Sequence, residues 1–266
     1  MNKDRILLFI PMYNCEKQIV RVVNQLDSNL CKYLDEIIIV NNRSTDNGEA
    51  VVLKCIDESK FNININIKLL RNHENYGLGG SHKVAFDYAL KNGFDYIIVL
   101  HGDDQGSIGN IKPILTRRLY RRYDAILGAR FMPGSKLEGY SKFRTIGNVV
   151  YNILFSLICW NRIYDLGSGL NMYKVSKLKT RFYKGFKDDL VFNYCMILAE
   201  SYFRHRIRFF PIVWREEDQV SNVKMFSQAI TVIKLLLSYS INRNKFILTD
   251  HRDKYIEEYK TDIVQG

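Results

Sequence analysis

The sequence contains no uninterrupted apolar run of membrane-spanning length. Its nearest approach, IGNVVYNILFSLICW from Ile146, is broken by Asn148, Asn152 and Ser156. Those three lie four apart and form a narrow polar stripe on an otherwise apolar helix, which suits a core, a subunit contact or a membrane surface. Cys-x-x-Cys pairs are missing too. The five cysteines (Cys15, Cys31, Cys55, Cys159, Cys195) are odd in number and scattered, which argues against a disulfide framework or a cysteine zinc site and fits a reducing cytosol. No repeat, low-complexity tract or clear linker divides the 266 residues. The glycines of NYGLGGS do not space as GxGxxG and follow a third strand, which argues against a nicotinamide dehydrogenase. A nucleic-acid recognition motif is absent, as is any interleaving of aromatic and basic residues. Acidic charge is in short supply: 39 Lys and Arg stand against 28 Asp and Glu, a formal charge of +11 that favours polyanionic partners such as nucleotide phosphates or an anionic membrane surface.

What is present is an alternation of short β-branched runs with helical patterns, the mark of βα units around a mostly parallel sheet. MNKDRILLFIPMYN has too short an apolar run for a secretory signal and reads as a first strand entering a turn. CEKQIVRVVNQLDSNL follows with helical spacing. DEIIIVNN and NIKLLRN are the second and third strands, SHKVAFDYALKNG is a helix ending at Gly93, and DYIIVL is the fourth strand. IKPILTRRLYRRY reads as one helix, its arginines 117, 118, 121 and 122 facing solvent or membrane, and DAILGARF as a further strand. REEDQVSNVK reads as a loop and MFSQAITVIKLLLSY as a second amphipathic helix; the charged tail from Asn242 is expected to stay unpacked. The division expected is a catalytic domain over 1–225 and a helix with charged tail over 226–266. In open sheets ligands sit outside the carboxyl ends of strands, where this chain places Tyr13-Asn14, Asn41-Asn42, Asn75 to Gly80 and His101 to Gln105.

These segments together resemble the family-2 glycosyltransferases of the GT-A fold, in the branch of dolichyl-phosphate mannosyltransferase and bacterial polyprenyl-phosphate sugar transferases. IPMYNCE resembles the family's opening strand and turn, IIIVNNRSTDN the segment usually written VDDGSTD, and NYGLGGSHKVAF its Asn-x-Gly-x-Gly turn. VLHGDDQ stands where the family has Asp-x-Asp and a Gln; GARF and DLGSGLNMYK resemble its Gly-Ser-Arg and Asp-x-x-Ser-Gly elements. The likeness runs in order over roughly residues 5 to 225.

The resemblance implies an α/β GT-A fold without a transmembrane span. It also implies a metal-dependent, inverting transfer of a sugar from a UDP- or GDP-linked donor. The expected acceptor is a polyprenyl phosphate at the cytoplasmic membrane face, with peripheral membrane contact. A hydroxyl of a cell-surface glycan precursor, or a non-catalytic nucleotide-binding relative, stays open, as does a homo-oligomer. By position, Pro11, Tyr13, Asn14, Glu16, Asn42, Gly79, Lys83 and Asp103 meet the nucleotide, and Arg130, Arg144 and Arg215 grip phosphate. Asp103, Gln105 and His101 hold Mn²⁺ or Mg²⁺, which takes up charge on the leaving diphosphate; a nitrogen ligand favours Mn²⁺. Asp103 and Asp165 are the catalytic candidates, with Asp165 read as positioning an acceptor or a neighbouring arginine, since an acceptor phosphate with a second pKa of about 6 needs no strict base. Two departures from the family stand out: Asn41-Asn42 replaces an acidic pair and His101 replaces the first Asp. Asn both accepts and donates, so nucleotide contact survives but the base is left open.

Overall fold

The computed structural model of the protein describes residues 3–57, 65–218 and 225–265. In chain order the first half runs β1 (Ile6–Met12), α1 (Glu16–Asn24), α2 (Ser28–Cys31), β2 (Glu36–Asn41), α3 (Gly48–Asp57), β3 (Asn66–Asn72), α4 (Gly77–Lys91) and β4 (Tyr96–Leu100). Then follow α5 (Lys112–Thr116), β5 (Ala125–Ala129), β6 (Lys136–Glu138), α6 (Lys142–Cys159), β7 (Leu170–Lys174), α7 (Phe192–Tyr202), β8 (Ile207–Pro211) and β9 (Val213–Arg215). The chain closes with α8 (Met225–Ile241), α9 (Arg243–Leu248) and β10 (Thr261–Gln265).

Eight strands form one sheet in the order β10-β3-β2-β1-β4-β7-β5-β8, and β6 pairs with β9 beside it. Neighbours from β3 to β4 are parallel, as are β5 and β8; β7 and β10 run antiparallel. All seven residues of β1 are buried because both faces of the sheet are covered, which is why the run reads as continuous rather than alternating. Successive side chains enter opposite cores. Leu7 and Phe9 join Ile38, Val40 and the α4 and α7 side chains on one face, while Leu8 and Ile10 join Ile37, Ile39 and α1 on the other. Register sets Leu8 opposite both Ile37 and Ile98, so the polar turns after β1, β2 and β4 emerge along one edge.

Two expectations are corrected. IKPILTRRLYRRY is not one helix: α5 ends at Thr116, and Arg118 turns left-handed with φ +49°. Its arginines therefore share no helix face, and Arg121 is committed to Asp4 at 2.6 Å. The tail is not loose either. β10 pairs antiparallel with β3, supplying the hydrogen bonds that an edge strand would otherwise leave open. Tyr259 is buried just before it, and α8 places Val232, Leu236 and Tyr239 in the same core as α4 and α7. Residues 219–224 of the expected REEDQVSNVK loop lie outside the described residues.

Among the described residues no helix is long and apolar enough to cross a membrane. Helix α6 is amphipathic with its polar stripe turned inward. Asn152 donates to Tyr164 O at 2.7 Å, Ser156 Oγ accepts from Ile163 N at 2.9 Å, and Asn148 donates to Tyr140 Oη at 2.9 Å. The opposite face leaves Phe143, Ile146, Ile153 and Leu157 more than half exposed, beside Trp160. Helix α8, which packs on α6, adds exposed Ile230, Ile233, Leu237 and Ile241.

Candidate active site at the carboxyl edge of the sheet

At the ends of β2 and β3 lies an open cavity of about 460 Å³, lined by Asn41, Arg43, Thr45, Asp46, Asn47 and Arg71 among others. The β1 turn braces the 44–47 segment that lines the cavity. Asn14, held at φ +48°, accepts from Thr45 N at 2.7 Å through Oδ1, and Glu16 N donates to Asp46 Oδ2 at 2.8 Å. Glu16 Oε2 accepts from Asn47 N at 3.3 Å. Pro11 O accepts from Gly102 N at 3.1 Å, tying the end of β1 to the β4 turn, and Tyr13 projects half exposed.

The two asparagines are spent inside the protein. Asn41 donates to Glu49 at 2.6 Å and accepts from Ser44 N at 2.8 Å. Asn42 donates to Asn75 at 2.7 Å, and its oxygen accepts from Asn72 Nδ2 and Tyr76 N at 2.9 and 2.8 Å. Asn42 is thus a clamp between β2, β3 and the turn before α4, with both ends of its amide engaged. Lys83 and Gly79, expected at the nucleotide, also face inward. The Lys83 ammonium is fully buried, donating to Phe186 O at 2.5 Å and Asp188 at 2.7 Å. A Cβ on Gly79 would lie 2.5 Å from Lys187 O, so this glycine permits close approach of two backbones and is not aimed at a phosphate.

After β4 the chain turns through His101 to Gln105. Asp104, left-handed at φ +59°, is fixed by Arg21 Nε at 2.6 Å and Gln25 Nε2 at 2.7 Å. Those bonds make Asp104 structural. Asp103 is half-buried, and desolvation, joined by repulsion from Asp104, pushes its pKa up to about 6. His101 is held neutral, its pKa pulled down to about 4 by burial and then by the charge of Arg130. Its Nε2 is buried without a hydrogen-bond partner, and its ring lies 6.0 Å from that of His82. Among the described residues no three His, Cys, Asp or Glu side chains cluster to hold a metal. What this turn offers a cation is one desolvated carboxylate, Asp103, with Gln105 two residues on, its N–H donating to Asp103 Oδ1 at 3.2 Å.

The three arginines arrive from three segments. Arg130 follows β5 and is pinned by Asp165, which accepts from its N, Nε and Nη2, each at 2.8 Å. Its guanidinium stacks over Trp214 at 4.8 Å and Tyr140 at 5.8 Å. Asp165, itself 2% exposed, has no free edge for proton transfer; it orients Arg130. Arg144 opens α6, lies 4.6 Å over the same Tyr140 and donates to Glu216. Arg215 ends β9; its N–H donates to Gln105 O at 2.9 Å, and its side chain is 3.9 Å from Glu138. Tyr140, Trp214 and the Gln105 backbone therefore join the arginines to the β4 turn.

Sequence reasoning missed Arg71, Glu49, Tyr140 and Glu216. Arg71 stands near the carboxyl end of β3, so the strand-end rule that singled out other residues reaches it too. Glu216 carries no local signal, since its partner Arg144 lies 72 residues away in the chain, and Tyr140, although close in sequence to Arg144 and Asn148, belongs to no motif that marks it.

A family model described as glycosyl transferase family 2 matches residues 8–190. The chain is 27% identical over 181 residues to a UDP-N-acetylglucosamine-dolichyl-phosphate N-acetylglucosaminyltransferase of Methanococcus voltae, covering 65% of this chain and 71% of that one. It is 21% identical over 179 residues to an undecaprenyl-phosphate mannosyltransferase of Micrococcus luteus, covering 66% and 68%. Among solved structures, glucosyl-3-phosphoglycerate synthase of Mycobacterium tuberculosis, in complex with Mn²⁺, UDP and phosphoglyceric acid, matches with a TM-score of 0.62 at 13% identity, over 90% of this chain and 79% of that one.

Proposed function

This chain belongs to glycosyl transferase family 2 and is a glycosyltransferase of GT-A fold, and from that premise we propose that it moves a sugar from a UDP- or GDP-linked donor to a polyprenyl phosphate at the cytoplasmic membrane face. The observation that carries the acceptor is the layout of α6. Its first turn holds Arg144, and from Ile146 onward it turns an apolar face outward. A polyprenyl phosphate has the same order: a charged head and then a hydrocarbon chain. The relatives from Methanococcus and Micrococcus bear names that specify lipid-phosphate acceptors, which supports the same reading.

The donor belongs at the cavity beside Asn41 and Arg71, with its diphosphate toward the β4 turn. Asp103 fits a divalent cation, because a carboxylate stripped of water gains most from a positive neighbour, and the Gln105 amide oxygen would complete its side of the site. When bound, the cation stabilises negative charge on the departing diphosphate. The remaining work falls to the chain. Arg130, aimed by Asp165 and backed by Trp214, and Arg144 at the head of α6 hold the acceptor phosphate in place for in-line attack on the anomeric carbon with inversion. An ionised phosphate needs no base, consistent with Asp165 being committed to Arg130.

The test is transfer from a panel of labelled UDP- and GDP-sugars to a short-chain polyprenyl phosphate, with Mn²⁺, Mg²⁺ or chelator. Product that requires cation and is lost in Asp103→Ala supports the reading and names the donor. Product on a glycan hydroxyl alone would replace the acceptor.

A further inference from the structure

The acceptor site proposed above already contains an anion of the protein's own. Glu216 follows β9 directly, and its N–H donates to Glu138 O at 2.9 Å. Gly139 crosses against it with φ +73°, and a Cβ there would lie 2.3 Å from Glu216 O, so the two backbones are locked closer than any other residue allows. From this fixed stem the carboxylate reaches Arg144. Both oxygens accept from Nη1, at 2.8 and 2.7 Å, and Oε1 lies 3.5 Å from Gln105 Nε2. One face of the Arg144 guanidinium rests on Tyr140 at 4.6 Å, and Asn148 steadies that ring through its hydroxyl. The pair is only partly screened by water, with side chains 28% and 16% exposed.

We propose that Glu216 is a specificity-determining residue: it serves as an internal counter-anion on Arg144 that an incoming acceptor must displace, so the site admits phosphate monoesters and rejects weaker anions and neutral hydroxyls. The inference rests on the lipid-phosphate reading of the site. A phosphate monoester brings nearly two charges and three acceptor oxygens against one carboxylate, and wins the exchange. A single carboxylate meets an equal already in place. A hydroxyl offers the guanidinium no charge at all. Discrimination here comes from a built-in competitor rather than from added contacts to the favoured ligand.

The experiment is calorimetric titration of the full chain with three probes sharing one tail: geranyl phosphate, geranate and geraniol. In the unaltered protein geranyl phosphate binds and geranate does not. Glu216→Gln and Glu216→Ala are expected to tighten geranyl phosphate about fivefold to tenfold and to bring geranate into measurable range, the scale of one partly screened ion pair. Adding Arg144→Ala to either variant abolishes both gains. UDP binding and Tm report that each variant is folded. Unchanged or weaker geranyl phosphate binding in both Glu216 variants, with UDP binding intact, overturns the proposal and makes Glu216 a support for Arg144. Should geranyl phosphate bind the unaltered protein and Arg144→Ala equally well, the lipid-phosphate reading falls along with it.

Discussion

Asp103 and Lys83 are both charged groups taken out of water, and their surroundings treat them in opposite ways. Desolvation, joined by the neighbouring charge of Asp104, raises the pKa of Asp103 from 3.8 to about 6. Its charged form is therefore easily lost: as pH falls through about 6 the carboxylate protonates and its hold on a divalent cation weakens. Metal-dependent transfer is expected to decline below that pH, and Asp103→Ala to lower kcat about 10²- to 10³-fold, as measured by initial rates at saturating cation. Lys83 is fully buried, and desolvation outweighs Asp188 to bring its pKa down from 10.5 to about 8. Between pH 8 and 10 the unfolded chain keeps a proton there that the folded chain has released, so stability from this group rises with pH in that window. The Tm of the unaltered protein minus that of Lys83→Met should widen from pH 8 to 10; a constant difference would mean that Lys83 carries no burial strain. The asparagines show why side-chain roles are hard to read from sequence. That Asn41 and Asn42 end a strand was legible, but their partners Glu49, Asn72, Asn75 and Tyr76 come together only when β2, α3, β3 and the turn before α4 assemble.

Among the elements, strands β1 to β5 were legible because runs buried on both faces are rich in β-branched residues and end at polar turns. Helix α6 was legible as amphipathic, whereas its orientation was not: periodicity separates two faces without saying which one the protein covers. Here Asn152 and Ser156 find backbone partners in the 163–164 segment, so the polar stripe goes in and the apolar face comes out. Replacing Phe143, Ile146 and Leu157 together by Ser is therefore expected to leave stability within about 1 kcal/mol while sharply reducing co-sedimentation with anionic vesicles. A fall in Tm with vesicle binding unchanged would assign that face to packing. The glycine that opens α4 makes the reverse case. Gly77 has φ +71°, and its Cβ would sit 2.3 Å from Asp188 O, so Gly77→Ala should cost on the order of 2 kcal/mol or more in chemical denaturation.

Across the whole molecule, the formal charge of +11 and the outward apolar faces of α6 and α8 both favour an anionic lipid surface. The sheet is completed from both ends of the chain. β10 was not legible because TDIVQ is short and its partner β3 is remote, a pairing that no local pattern announces. Deleting residues 259–265 should lower Tm and promote concentration-dependent aggregation, since it bares the β3 edge and strips Tyr259 from Lys83 and Asp188; light scattering and calorimetry would read both effects. This closure also sets a clock on biosynthesis. Thr261 hydrogen-bonds to Arg71 across a separation of 190 residues. At about 5–20 residues per second, a ribosome that has delivered β3 leaves its edge open for about 10–40 s before β10 emerges. Through that interval the nascent chain carries a templating strand edge, and whatever shelters it during translation governs the yield of native protein.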